Sequence, residues 1–96
     1  MKLEDWVREL CESLYRATGL FSDPRIVDDD GGHRIYFRLS EKLESKVLKY
    51  AKKVVSDVAK SEGWKVSRFT EKPGHVSFLI VRRTPGRDPV YRRTAS

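Results

Sequence analysis

The sequence predicts an α+β fold: two α-β-β units forming one four-stranded antiparallel sheet, with two helices packed on one face. Three observations carry that expectation. Two stretches repeat apolar residues at three- and four-residue spacing, as helices do. Between and after them lie short runs that alternate in polarity or are apolar throughout, as strands are. Glycines stand where the chain must stop a helix or reverse. With 96 residues the chain has room for one modest core. Residues 1–83 are expected to form that single domain and 84–96 a flexible basic C-terminal tail.

The first helix should run from about Leu3 to Thr18, because Leu3, Trp6, Val7, Leu10, Leu14 and Ala17 fall on one face. Gly19 is placed for the left-handed position that ends a helix, and Leu20 can fold back on the last turn. Ser22-Asp23-Pro24 should then break the chain. A hairpin follows, rising through Arg25-Ile26-Val27, turning at Asp28-Asp29-Asp30-Gly31-Gly32 and returning from His33 to Leu39. Ile35, Phe37 and Leu39 alternate with Arg34, Tyr36 and Arg38, so one set faces a core and the other does not.

Ser40 is placed to cap a long second helix, with Glu41 near its positive end and Leu43, Val47, Ala51, Val54, Val55 and Val58 as its buried stripe. Gly63 ends it. A second hairpin pairs Trp64–Thr70 with His75–Arg83 across Glu71-Lys72-Pro73-Gly74. The two halves echo one another: Gly19-Leu20 resembles Gly63-Trp64, and Gly32-His33 resembles Gly74-His75. Duplication explains the echo, and so does the general preference of helix ends and turns for glycine.

Composition narrows the function classes. No apolar run approaches the ~18–20 residues that span a bilayer, and the opening Met1-Lys2-Leu3-Glu4-Asp5-Trp6 carries acids where a signal peptide carries bases. The expectation is a soluble cytoplasmic protein without a membrane partner. Cys11 is the single cysteine, so no intrachain disulfide or cysteine-based zinc site can form. Its position on the apolar side of the first helix, between Glu9 and Glu12, suits packing and not reactivity. The absence of asparagine and glutamine, with 35% charged residues, is the pattern of a hyperthermophilic, plausibly archaeal, source.

Charge is unevenly distributed. The formal net charge is +6, made of −2 over residues 1–40 and +8 over residues 41–96. Such a one-sided positive field favours polyanions.

The strand Val76-Ser77-Phe78-Leu79-Ile80-Val81 is apolar at both parities and should be central and covered on both faces. Two helices cover one face, which leaves the other for a partner. Arg34, Tyr36 and Arg38 belong to that second face. Depending on register, Val76, Phe78, Ile80 and Arg82 join them, or Leu79, Val81 and Arg83. The third strand adds Lys65, Ser67 and Phe69, or Trp64, Val66 and Arg68. Every combination gives aromatic and aliphatic side chains flanked by bases. Single-stranded nucleic acid suits such a face, with bases stacked on Tyr36, Phe69 or Phe78 and phosphates met by Arg34, Arg38 and Lys65. The segment from Arg82 to Arg93 holds five arginines in twelve residues and reads as a nucleic-acid-gripping arm, carried by Arg82, Arg83, Arg92 and Arg93. A homodimer burying the apolar centre is the alternative, and a dimer lining a groove combines both.

Other features weigh less. Lys42, Lys46, Lys49, Lys53 and Lys60 form a stripe on the second helix that could track phosphates, although a solvated outer face is the better account of them. His33 and His75, with Asp28, Asp29 and Asp30, invite a metal or general-base reading. Adjacent aspartates diverge along a strand end, however, and the calcium-loop signature is missing. No catalytic motif, metal site or cofactor site is expected, a catalytic pairing of His33 or His75 with a carboxylate at a dimer seam being the rival. The β-α-β-β-α-β order of RNA-recognition domains and the GXXG loop of KH domains are both lacking. The sequence therefore predicts a low-specificity binding protein for single-stranded DNA or RNA, with a homodimeric interaction module as the alternative.

Overall fold

A computed structural model describes residues 1–29 and 31–83. Its order is α1 (Leu3–Thr18), β1 (Phe21–Asp29), β2 (Gly32–Leu39), α2 (Ser45–Ser61), β3 (Trp64–Lys72) and β4 (His75–Arg82). All strand pairs are antiparallel, in the spatial order β1-β2-β4-β3. Both helices pack on one face of the sheet, α1 against β1 and α2 against β3. Among the described residues no helix is long and apolar enough to cross a membrane.

The first helix behaves as its apolar spacing requires. Trp6, Val7, Leu10, Cys11 and Leu14 are buried, and Gly19 closes the helix at φ 74 with its N–H donated to the Tyr15 carbonyl. Thr18 reinforces the exit: its Oγ1 donates to Leu14 O at 2.7 Å and accepts from Leu20 N at 3.1 Å. Ala17, one turn beyond the contact with the sheet, is exposed.

Three expectations about the elements need correction. Ser22-Asp23-Pro24 does not break the chain. β1 begins at Phe21 and runs through it as an irregularity, with Asp23 at φ 54, before pairing resumes at Arg25. A bulge of this kind absorbs the proline, which cannot donate to a ladder, without ending the strand.

The second helix starts at Ser45 and not at Ser40. Leu43 is buried, yet from the preceding loop, where its N–H donates to Glu71 Oε2 at 3.0 Å while Ser40 N–H donates to Leu20 O. Those tertiary bonds hold 40–44 as an irregular loop, so the helix begins only beyond them, and Lys42 leaves the lysine stripe.

The echo of the two halves is also out of step. Gly31 and Gly74 are the equivalent turn glycines, at φ 77 and 84, each just before the second member of a closing pair, Asp29↔Gly32 and Lys72↔His75. Gly32 thus corresponds to His75 and not to Gly74, and the two histidines are not equivalent.

That offset decides the sheet faces. Directly paired residues of neighbouring strands point to the same side. Ile35 pairs with Phe78, Phe37 with Val76 and His33 with Ile80, so Val76, Phe78 and Ile80 join Ile35 and Phe37 against the helices. All five of those apolar side chains are essentially inaccessible. On β3 a register shift between Val66 and Arg68 changes the parity, so Trp64, Val66 and Phe69 all face the helices. Ring contacts run through this core: Phe37 lies edge-on to both Phe21 and Phe78, and Phe69 stacks on Phe78 at 5.9 Å and 6°.

Candidate nucleic-acid interface

The face opposite the helices is built from the remaining parity. β1 contributes Arg25, Val27 and Asp29; β2 contributes Arg34, Tyr36 and Arg38. β4 contributes His75, Ser77, Leu79 and Val81, and β3 contributes Lys65, Arg68, Thr70 and Lys72. No described helix or strand packs over it.

Cross-strand rows define its chemistry. One row reads Val27, Arg34, Leu79, Arg68, and the next reads Arg25, Tyr36, Ser77, Thr70. A third joins Arg38, His75 and Lys72. Ser77 is 7% exposed although it lies on this side, because larger neighbours stand around it. The Tyr36 ring lies 5.9 Å from that of His75 at a 56° tilt, forming one floor. Beside that floor a shallow depression of about 480 Å³ is lined by Tyr36, His75, Arg25, Arg38, Val27 and Asp23 among others.

The charge is mostly uncompensated. Arg34 Nε donates to Asp29 Oδ2 at 3.1 Å, and Arg38 Nη2 approaches Asp23 Oδ2 at 3.7 Å. Arg25, Lys65, Arg68 and Lys72 make no ion pair among the described residues. The salt bridges orient two arginines, and the other four cations remain available to an anion.

The structure brings together Arg34, Tyr36, Arg38 and Lys65 as the sequence predicts, and it removes other members of the expected platform. Phe78 is 0% exposed in the core between Phe37 and Phe69, so it cannot stack on a base. Phe69 faces the helices too, because of the β3 bulge, with Lys52 Nζ 5.7 Å from its ring centre. Arg82 projects to the helix side and lies over the Trp64 ring at 4.4 Å. Arg83 continues β4 at the sheet's end, its N–H donated to Gly63 O at 3.0 Å. Arg92 and Arg93 lie outside the described residues.

Arg25, Lys72 and His75 enter the face without having been assigned to it from sequence. Arg25 could have been found, since it alternates with Ile26 in a short strand, whereas Lys72 and His75 depended on where the second turn closes. His33 sits on the opposite side, against Trp64 at a ring distance of 5.5 Å, with Nδ1 2.9 Å from Asp28 Oδ1. The two histidines are thus separated by the sheet. Cys11 is buried on the inner side of α1, and burial, reinforced by Asp23 and Glu12, pushes its thiol up to about 11. A thiol so placed is a packing group.

Comparison with known proteins found no family model that matches the chain and no curated relative.

Proposed function

We propose that this protein binds single-stranded nucleic acid across the open face of its sheet, with little sequence specificity. One observation carries the reading: a sheet face without described cover holds Arg25, Arg34, Arg38, Lys65, Arg68 and Lys72 around the Tyr36–His75 floor, with Asp29 and the marginal Asp23 as the acids near it among the described residues. Polyanion backbones are drawn to such a field, and the half-buried Tyr36 ring on the open face offers a base a stacking surface that works for any base. A duplex is less suited, because no helix or paired ribbon among the described residues projects from this face to enter a groove.

Among the described residues the rings on this face are Tyr36 and His75, so backbone contacts supply most of the affinity and binding is strongly salt-dependent. The row Val27, Arg34, Leu79, Arg68 alternates apolar and basic groups. That interruption disfavours a dry face-to-face homodimer, which needs a contiguous apolar centre. Fluorescence titrations with single-stranded DNA, single-stranded RNA and duplex DNA at two salt concentrations test the reading. Tighter binding of the single strands, weakening steeply with salt, is expected. Absence of binding to any of the three at low salt ends it.

A further inference from the structure

We propose that the groove between α2 and the outer edge of β3 is a second stretch of the nucleic-acid path, holding the sugar-phosphate backbone as the strand leaves the sheet face. This rests on the single-strand reading above and extends it to the helix side of the molecule.

Two adjoining depressions, of about 210 and 250 Å³, run along this edge and share Ser56 and Val66. Cations stand on both banks: Lys52 and Lys60 from α2, Lys65 and Arg68 from β3, and Arg83 beyond β4. Among the described residues no acid lines either depression. The nearby acids are engaged elsewhere, Asp57 of α2 by Lys53 at 3.3 Å and Glu62, just beyond the helix, by the amino group of Met1 at 3.5 Å. Ser56 and Ser67 add hydroxyls that can donate to phosphate oxygens.

The geometry follows from sequence. Lys52, Ser56 and Lys60 recur every fourth residue, so they form one line along the helix flank facing β3. Eight residues of helix place the two ammonium stems about 12 Å apart along its axis. The β3 bulge turns Arg68 outward and Phe69 inward at the same point, so the groove has a cationic rim over an apolar floor of Val66 and Phe69. Lys65 and Arg68 belong both to this rim and to the open face, which makes the two surfaces continuous around the edge.

An edge strand normally carries lysines to discourage strand addition. Lysines for that purpose would sit on β3 itself, and the matching line on α2 has no such use. Charge complementarity therefore assigns the groove to a polyanion.

The test compares two double variants of equal charge. Lys52→Ala/Lys60→Ala removes the α2 bank. Lys46→Ala/Lys49→Ala removes two cations of the same helix that line neither depression and make no ion pair among the described residues. Both are titrated against a fluorescent single-stranded oligonucleotide of about 16 nucleotides, long enough for a path of this kind, with matched thermal melts as the folding control. For the groove variant the slope of log affinity against log salt should fall by about 1.4, two contacts at ~0.7 each on a single strand. The outer pair should leave the slope unchanged. Equal effects from the two pairs would mean a general field only and overturn the proposal, while the sheet-face reading survives. Lost binding to anionic lipid vesicles with oligonucleotide affinity intact would reassign the groove and overturn it. Failure of the wild-type protein to bind the oligonucleotide at low salt would remove both readings together.

Discussion

Strand β4 offers a direct measure of which way the sheet faces, because adjacent residues of similar polarity lie in opposite environments. Phe78 is fully buried and touches the Phe37 and Phe69 rings, whereas Leu79 is half-buried on the open face. Truncating a buried phenylalanine removes its transfer free energy and leaves a cavity, a loss of about 3–5 kcal/mol. Truncating a half-covered leucine loses only part of its burial term, about 1 kcal/mol. A chain of this length has a total stability on the order of 5–14 kcal/mol, so the first change consumes much of it and the second little. In urea, with a slope of about 1 kcal/mol/M for a small domain, Phe78→Ala should lower the midpoint by about 3–5 M and Leu79→Ala by about 1 M. If Phe78→Ala is already unfolded in buffer, Phe78→Leu should still cost about 1–2 kcal/mol. Circular dichroism follows both transitions. A larger loss from Leu79→Ala than from Phe78→Ala would mean that the opposite parity faces the helices, and the proposed face would have to be rebuilt from Val76, Phe78 and Ile80.

Other outcomes follow from single contacts. A methyl group on Gly32 would overlap the Ile80 carbonyl oxygen, so Gly32→Ala should destabilise by about 1–3 kcal/mol as β2 and β4 are pushed apart, seen as a lower urea midpoint. Glu71→Ala leaves the Leu43 N–H without its carboxylate and should cost about 1.5–3 kcal/mol, with Glu71→Gln losing less because an amide oxygen can still accept. The raised Cys11 thiol should be inert to alkylation at pH 8 in the native protein and react on unfolding, monitored by mass spectrometry. Because the folded protein holds that thiol neutral above its usual 9.0, stability is unaffected below pH 9 and falls as pH rises from 9 toward 11. A Cys11→Ala variant should lack that dependence.

Much of the fold is legible in the sequence because local periodicity and tertiary packing agree. The stripe Trp6, Val7, Leu10, Leu14 and the alternation Ile35, Phe37, Leu39 have one reading each, and each faces the core. Strand β4 has no such preference, since Val76-Ser77-Phe78-Leu79-Ile80-Val81 is apolar at both parities. Its facing is fixed by pairing with β2, a long-range contact that periodicity cannot register. The same holds for Phe69, turned inward by a bulge at Ser67 that no residue type announces. The repeated Gly-His pair misleads because Gly31, and not Gly32, takes the turn position. Ser40 misleads as a cap because Leu43 and Glu71 pin the loop beyond it. At the candidate site, Arg34, Tyr36 and Arg38 are readable from a single alternating strand, whereas Arg25, Lys72 and His75 reach the face only through the register of both hairpins.

The sheet face itself is tested most directly by titrating a labelled single-stranded oligonucleotide with wild-type protein and with Tyr36→Ala at low salt. Tyr36 stands at the centre of the face, in contact with His75 and away from the core. Losing one stacking ring should weaken binding by about 1–3 kcal/mol, roughly five- to 150-fold, with the urea midpoint little changed. Equal affinity of the two proteins would contradict the account, because a strand that ignores Tyr36 does not lie across this sheet.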